Sequence, residues 1–167
     1  HDSDGLDSEY GSGGSGGGTI LIGGELRGTG STPTSRAVYL GEATQVRADA
    51  TGNGDGGTVI VWSDEVSRVY GSLSARGGAT GGNGGFIETS SGGFLDVTQA
   101  VDVSAAFGQG GEWLIDPDDI EIIVGANVAI SAGPNFTSTA EVSKLNVTAL
   151  TAALTGGATV RVVTADA

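Results

Sequence analysis

Residues 56–62 read Gly-Gly-Thr-Val-Ile-Val-Trp, two glycines followed by a short, mostly β-branched run. A glycine pair followed by an apolar run also begins at residues 17, 84 and 110. The second glycines of the four pairs are thus Gly18, Gly57, Gly85 and Gly111, and the widest gap, the first, includes an insertion around residues 30–35. Apart from that insertion the spacing is nearly constant, which predicts a fold built from repeated units.

A second marker, an apolar residue followed by x-Ala, lies part-way through each unit. It occurs at Val46-Arg-Ala48, Leu73-Ser-Ala75 and Val103-Ser-Ala105, with nearly the same spacing as the glycine pairs. The strands expected between the glycines are short, too short for stable isolated hairpins. Stacked about 4.8 Å from the equivalent strand of the preceding unit, they would share one continuous apolar core. The sequence therefore predicts an all-β chain folded as a parallel β-helix, with glycine at its corners.

The two ends of the chain differ from this repeat. Residues 1–18 combine an acidic patch with a Gly/Ser run and are expected to form a flexible leader. The β-helix domain is then expected to cover residues 19–167, with a less regular end at 118–167. Close to that end we expect a turn at Asp116-Pro-Asp-Asp119, and within it a polar loop at 131–140.

One short helix is predicted near the C-terminus, at about residues 148–155. Leu150 and Leu154 are spaced as on one face of a helix. Thr148 is a candidate N-cap, and Gly156-Gly157 is a stop signal.

The composition limits the classes of partner that the chain could bind. Twenty acidic residues against seven basic ones give a net charge of −13, so a duplex nucleic acid or an anionic membrane surface is an unfavourable partner. There is no cysteine to form a disulfide, and no apolar run approaches the ~18 residues of a membrane-spanning helix. The chain has no Met and begins at His1, so we expect it to be a piece of a longer product.

Seven motifs occur in a fixed order between residues 17 and 167. They are Gly56-Gly-Thr-Val-Ile-Val-Trp-Ser-Asp64, Gly71-Ser-Leu-Ser-Ala-Arg-Gly-Gly78, Gly82-Asn-Gly-Gly-Phe-Ile-Glu88, Val101-Asp-Val-Ser-Ala105, Trp113-Leu-Ile-Asp-Pro117, Ile120-Glu-Ile122 and Leu150-Thr-Ala-Ala-Leu-Thr-Gly-Gly-Ala-Thr-Val160. In this order they resemble large exoproteins of the filamentous haemagglutinin type. The resemblance implies a right-handed parallel β-helix, two-partner secretion through an outer-membrane transporter, and adhesion or fibre formation outside the cell. The family's N-terminal secretion domain is not recognisable, so the resemblance implies an internal or C-terminal segment.

Residues able to carry catalysis are sparse. His1 is the only histidine, so a Ser/His/Asp or Cys/His arrangement is not expected. A polysaccharide lyase or hydrolase would need clustered carboxylates in a groove. The carboxylates available for that are Asp96, Asp102, Asp116, Asp118 and Asp119. We therefore expect no enzyme, no catalytic residue and no organic cofactor.

Three kinds of binding or modification site are candidates. Asp2, Asp4, Asp7 and Glu9 surround a glycine in a spacing that a calcium ion could use, although a solvated acidic tail explains them more simply. Trp62 and Tyr70 are candidate glycan contacts, the alternative being core or corner packing. Two acceptor patterns for N-glycosylation are present, at Asn135 and Asn146.

The resemblance implies a secreted, cell-surface structural or adhesive protein, and the unpaired strand edges at the ends of a β-helix favour end-to-end contact between copies. A glycan-binding module of an adhesin is the alternative, with cell-surface or matrix glycans as its partners. A polysaccharide lyase or hydrolase is a third, less favoured, interpretation. Neither nucleic-acid binding nor membrane insertion is expected.

Overall fold

The apolar runs that follow the glycine pairs form short strands. The computed structural model describes residues 16–118, 120–124 and 143–164. The strands and the α-helix of these residues are β1 (Thr19–Ile22), β2 (Ala37–Leu40), β3 (Gln45–Arg47), β4 (Thr58–Val61), β5 (Val66–Val69), β6 (Ser72–Ser74), β7 (Phe86–Ser91), β8 (Phe94–Val97), β9 (Glu112–Pro117), β10 (Ile120–Ile123), β11 (Ser143–Asn146), α1 (Val147–Thr155) and β12 (Thr159–Val162). A short 3-10 turn lies at Leu26–Gly28. The polar loop expected at 131–140 and residues 1–15 of the expected leader lie outside the described residues.

The strands form three sheets whose named strands all pair in parallel. Sheet 1 has the order β1-β4-β7-β9-β12, sheet 2 the order β2-β5-β8-β11-β10, and sheet 3 pairs β3 with β6. In sheet 1, Val59 lies opposite Ile20 and Ile87, and Ile87 lies opposite Trp113. The spacing of the glycine pairs in the sequence therefore equals the offset between paired residues of sheet 1. The prediction of parallel, stacked strands with one short helix is confirmed.

The predicted alignment of Val103 with the second marker of the other units is wrong. Val46 lies opposite Leu73, as predicted, but Ser74 lies opposite Asp102. The N–H of Gly111 donates to the carbonyl of Val103 as the N–H of Gly85 donates to that of Ala75. Val103 is therefore equivalent to Ala75 and not to Leu73. The error arose because apolar and polar residues alternate from Val101 to Val103. The apolar-x-Ala pattern therefore matches at Val103, two positions after Val101, the residue equivalent to Leu73.

The core lies between the sheets, and alternate residues along the strands point into it. Trp113 is its largest member, is fully buried, and donates from Nε1 to the Thr89 hydroxyl oxygen over 3.0 Å. The other buried apolar residues of this cluster are Ile20, Val38, Val46, Ala48, Val59, Val61, Val69, Leu73, Ala75, Ile87, Leu95, Val97, Val101, Val103, Ile115, Leu145, Ala149, Ala153 and Ala158. Small and β-branched side chains therefore fill most of the space, as close stacking of short strands requires.

The glycine pairs occupy the corner between sheet 3 and sheet 1. There the N–H of Gly57 donates to the carbonyl of Ala48 over 2.7 Å, and the N–H of Gly85 donates to that of Ala75 over 2.7 Å. A Cβ placed on Gly56 would overlap the carbonyl oxygen of Ala75. The backbones meet so closely that only glycine fits at this corner.

The C-terminal end departs from the expected details. The prediction of a turn is wrong for Asp116 and Pro117, because β9 continues through both and Pro117 lies opposite Ser91 of β7. Helix α1 begins at Val147, and its N-cap is Asn146, whose side-chain oxygen accepts from the N–H of Thr148 over 2.7 Å. Thr148 is therefore not the cap.

Helix α1 follows β11 of sheet 2 and precedes β12 of sheet 1. It thus takes the place along the chain that β3 and β6 take in the first two units. Ala149 and Ala153 are buried against the core, and Gly157, with φ of +85°, follows the end of the helix. Among the described residues, no helix is long and apolar enough to span a membrane.

Candidate functional site

The insertion between β1 and β2, residues 23–36, folds over the outer face of sheet 1. Residues on that face alternate with core residues along the strands, yet Ile60, Glu88 and Leu114 are at most 3% exposed. The N–H of Arg27 in the insertion donates to both carboxylate oxygens of Glu88, over 3.1 and 3.2 Å. The insertion therefore gives sheet 1 a second buried layer.

Arg27 links this insertion to two strands. Its φ of 53° lies in the left-handed region, which costs a non-glycine residue about 1–2 kcal/mol. That conformation presents the N–H to Glu88, while Nε lies 2.9 Å from a carboxylate oxygen of Asp116. The ion pair and the hydrogen bonds to Glu88 offset the backbone strain.

Trp62, which follows β4, anchors the same insertion. A Cβ on Gly24 would lie 2.7 Å from the indole Cδ1, and one on Gly28 would lie 2.5 Å from Nε1. The insertion therefore packs its glycine backbone directly on the ring. Nε1 of Trp62 is buried and makes no hydrogen bond in the part of the chain that the structure describes.

Beside the insertion lies a cleft of about 360 Å³, here called the outer cleft. Its lining residues are Arg27, Trp62, Ser91, Asp116, Asp118, Val163 and Thr164. The outer cleft thus combines an indole, a guanidinium, two carboxylates and two hydroxyls. A site with an apolar ring and a few convergent polar groups suits a small polar ligand such as a sugar ring.

Glu88 lies beneath the outer cleft and is fully buried. Burial, together with the neighbouring Asp116 carboxylate, raises the pKa of Glu88 above its ordinary value. The hydroxyl of Ser90 and the N–H of Arg27 oppose this rise without cancelling it. Because Glu88 has no exposed surface, its carboxylate does not face the cleft solvent, and it contacts the insertion by accepting from the Arg27 N–H.

Tyr70, the second predicted glycan contact, does not line the outer cleft. It follows β5 of sheet 2, and its hydroxyl donates to a carboxylate oxygen of Asp96 over 2.9 Å. Its ring meets Tyr39 edge-on, with centroids 5.7 Å apart. Burial and the Asp96 carboxylate raise the pKa of Tyr70. Trp62 and Tyr70 therefore do not share one site.

The carboxylates named above as candidates for a lyase or hydrolase do not form one cluster. Asp102 accepts from the Ser104 N–H and hydroxyl, Asp96 lies on β8, and Asp116 lies on β9. Asp119 lies outside the described residues. Of the four candidates that the structure describes, Asp116 and Asp118 line the same cleft.

A second cleft, of about 430 Å³, lies beside sheet 3 and holds an ionic network. Asp49, only 5% exposed, accepts from Nη2 of Arg76 over 2.6 Å and pairs with Arg47 over 3.3 Å. Burial alone would raise the pKa of Asp49, but hydrogen bonds from the Arg76 guanidinium and backbone hold it below its ordinary value. This carboxylate is therefore a charged structural group at neutral pH.

The remaining candidates are only partly described. Asp2, Asp4, Asp7 and Glu9, the candidate calcium ligands, lie outside the described residues, as does Asn135. Asn146 caps α1 through its side chain. In the described part of the chain, no group of three or more His, Cys, Asp or Glu side chains could hold a metal ion.

Arg27, Glu88 and Asp49 were missed by the sequence reasoning. For Glu88 a signal existed: it is a charged residue whose neighbours on both sides in the column, Ile60 and Leu114, are apolar. An acid in such a column predicts a partner supplied from elsewhere in the chain. No comparable local signal marks Arg27, because its contacts depend on how the insertion folds back.

Comparison with models of protein families and with curated proteins finds no match to this chain.

The raised pKa of Glu88 predicts a pH-dependent effect of Glu88→Gln. Between its ordinary value of 4.5 and the raised value, the folded chain binds more protons than the unfolded one, so this group lowers the free energy of unfolding as pH rises. Gln keeps an oxygen for the Arg27 N–H but carries no charge. The variant should therefore be at least as stable as wild type at pH 7 and lose this advantage at pH 4.

Urea unfolding at pH 4, 5.5 and 7 measures the difference. Glu42→Gln, at an exposed position in the turn after β2, is the control and should follow the wild-type profile. A Glu88→Gln variant that loses stability relative to wild type as pH rises would contradict the burial account.

Proposed function

We propose that this chain is a segment of a secreted, cell-surface β-helix protein with a structural or adhesive role, and that its copies associate end to end. The observation that carries the proposal is the register. The first two units each add one strand to sheet 1, sheet 2 and sheet 3 in that order, and the third continues with β7, β8 and the bridge at Asp102. Such a succession is what a chain wound as a parallel β-helix produces.

The handedness follows from a general rule. Parallel strands joined by a crossover in one sheet are almost always connected in the right-handed sense. We therefore infer a right-handed β-helix, which is also the fold implied by the resemblance to large exoproteins.

A structural role is supported by where the polar chemistry lies. Glu88, Asp49 and Asp96 are at most 5% exposed, and each has a hydrogen-bond partner in another unit or in the insertion. Their charges and hydrogen bonds hold layers of the protein together. This is the arrangement expected of a scaffold that presents its surface to a partner.

The open strand edges supply a means of association. Within the described residues, β1, β2 and β3 are each the last strand of their sheet on one side. An edge strand carries backbone groups that can pair with a strand of another chain. Along β1, the carbonyls of Gly18 and Ile22 accept from N–H groups of the β4 segment. Leu21, 46% exposed, therefore directs its backbone groups to the open side.

Secretion is proposed on the absence of cysteine, the acidic charge and the resemblance. A cysteine-free chain with a net charge of −13 suits export in an unfolded state. A longer parent chain would then use an outer-membrane transporter as its partner.

The edge proposal predicts the behaviour of Leu21→Pro. Proline removes the N–H that faces the open side and leaves the β1–β4 hydrogen bonds in place. The wild-type chain should form filaments as concentration rises, seen by electron microscopy and by a growing mass in X-ray scattering. Leu21→Pro should stay folded and monomeric, while Leu21→Ala, the matched control, should assemble.

A wild-type chain that scatters as a monomer at high concentration would overturn end-to-end association. Equal assembly of Leu21→Pro and wild type would show that β1 is not the contact.

A glycan-binding module is the second candidate, favoured by the outer cleft. Trp62, Arg27, Asp116 and Asp118 line one cleft of about 360 Å³, a size and chemistry that fit a neutral sugar unit of a glycan. Asp118 is exposed, so it can be changed without disturbing the anchoring of the insertion by Trp62.

A glycan array tests this candidate. If the outer cleft binds a neutral glycan, Asp118→Ala should lower the signal at least tenfold, and Glu42→Ala, which removes an exposed charge elsewhere, should not. An array without hits, or equal signals from Asp118→Ala and wild type, would remove the proposal.

A further inference from the structure

Strand β10 does not lie where the repeat would place it. β7 passes to β8 through Gly92 and Gly93, and β9 passes to β10 through residues 118 and 119, a connection of equal length. Strands β7 and β9 are also equally long. The repeat therefore places β10 beside β8. Instead, β11 lies between β8 and β10 and pairs in parallel with both.

Direct pairing in the register of the repeat would bury a charge. If β8 and β10 kept the offset that pairs Phe86 of β7 with Glu112 of β9, Glu121 would lie opposite Leu95, which is 2% exposed in the core. The equivalent residues of the preceding strands are Ser67 and Val38. No charged residue occupies this column in β2, β5 or β8, and an unpaired carboxylate there is strongly disfavoured.

The register shifted by one residue that brings Glu121 opposite Asp96 is disfavoured for a different reason. It would restore apolar residues to the inward positions of β10 but would bring Glu121 opposite Asp96. Asp96 is 3% exposed and already accepts from the Tyr70 hydroxyl. Like charges directly opposite one another on neighbouring strands repel. The register of the repeat and this shifted register are therefore penalised by the same residue.

Strand β11 can pair with β8 without burying a charge in the core and without placing an acidic residue opposite Asp96. It brings Leu145, which is 1% exposed, opposite Val97 in the core. It also brings a basic residue, Lys144, to the register position opposite Asp96. On its other side Lys144 lies opposite Glu121. Acidic and basic residues therefore alternate along the row of sheet 2 that contains Asp96, Lys144 and Glu121.

We propose that Glu121 acts as a register lock, which disfavours these two pairings of β10 with β8 and so favours β11 at that edge. During synthesis β10 becomes available before β11, because it precedes it in the chain. The lock therefore sets the order in which the C-terminal end assembles, with β10 adding to sheet 2 only after β11 has paired with β8.

The test is refolding of the full chain carrying Glu121→Val, followed by pulsed hydrogen exchange and interstrand nuclear Overhauser effects. In the wild type, β8 should contact β11 and never β10. In Glu121→Val, β8–β10 contacts should form early, and β11 amides should gain protection at least fivefold more slowly. Glu121→Asp, which keeps the charge, should refold as the wild type does.

Glu121→Gln removes the charge with little change in size and should slow β11 in the same direction, which keeps the test usable if the valine variant aggregates. Unchanged β11 protection rates and an absence of β8–β10 contacts in both uncharged variants would overturn the proposal. Slowing in Glu121→Asp equal to that in Glu121→Val would also overturn it, because the charge would then not be the cause.

Discussion

The close approach of backbones at the corner between sheet 3 and sheet 1 is the constraint on which the other features depend. The N–H of the second glycine of a pair donates to the carbonyl at the end of the preceding sheet 3 strand, and the first glycine packs against a carbonyl of the next unit. No side chain fits between these groups. Because the corner recurs at Gly56-Gly57, Gly84-Gly85 and Gly110-Gly111, each following strand of sheet 1 enters in the same register.

The register of the strands also determines which polar residues need partners. Outward positions of these short strands alternate with core positions, so any element that covers the outer face must provide partners for the polar residues there. The insertion does so for Glu88 through the Arg27 backbone. Arg76 does so for Asp49 beside sheet 3. In sheet 2, Asp96 accepts from the Tyr70 hydroxyl and lies opposite Arg68 of β5.

Much of the architecture could be read from the sequence because its determinants are local. The glycine pairs marked the register of sheet 1, and the spacing of Leu150 and Leu154 located the helix to within a residue. The position of Val103 was misjudged because a shift by two positions preserves the alternation of apolar residues. The sequence alone therefore constrained the register least where the alternation of apolar residues was the only marker.

The candidate site could be predicted only in part. Trp62 was selected as an aromatic that could contact a sugar ring, and the structure places it in the outer cleft. Its role in anchoring the insertion depends on glycines far earlier in the chain, Gly24 and Gly28. The interposition of β11 likewise depends on a pairing between distant segments, which no local pattern specifies.

The most direct measurement of the corner constraint is the free energy of unfolding of Gly56→Ala compared with that of Gly41→Ala. A Cβ on Gly56 would overlap the Ala75 carbonyl, whereas one on Gly41 would make an ordinary contact of 3.4 Å with the Tyr39 ring. The corner constraint predicts that Gly56→Ala loses about 3 kcal/mol or more and that Gly41→Ala changes by at most about 1 kcal/mol. Equal free energies of unfolding for the two variants would contradict it.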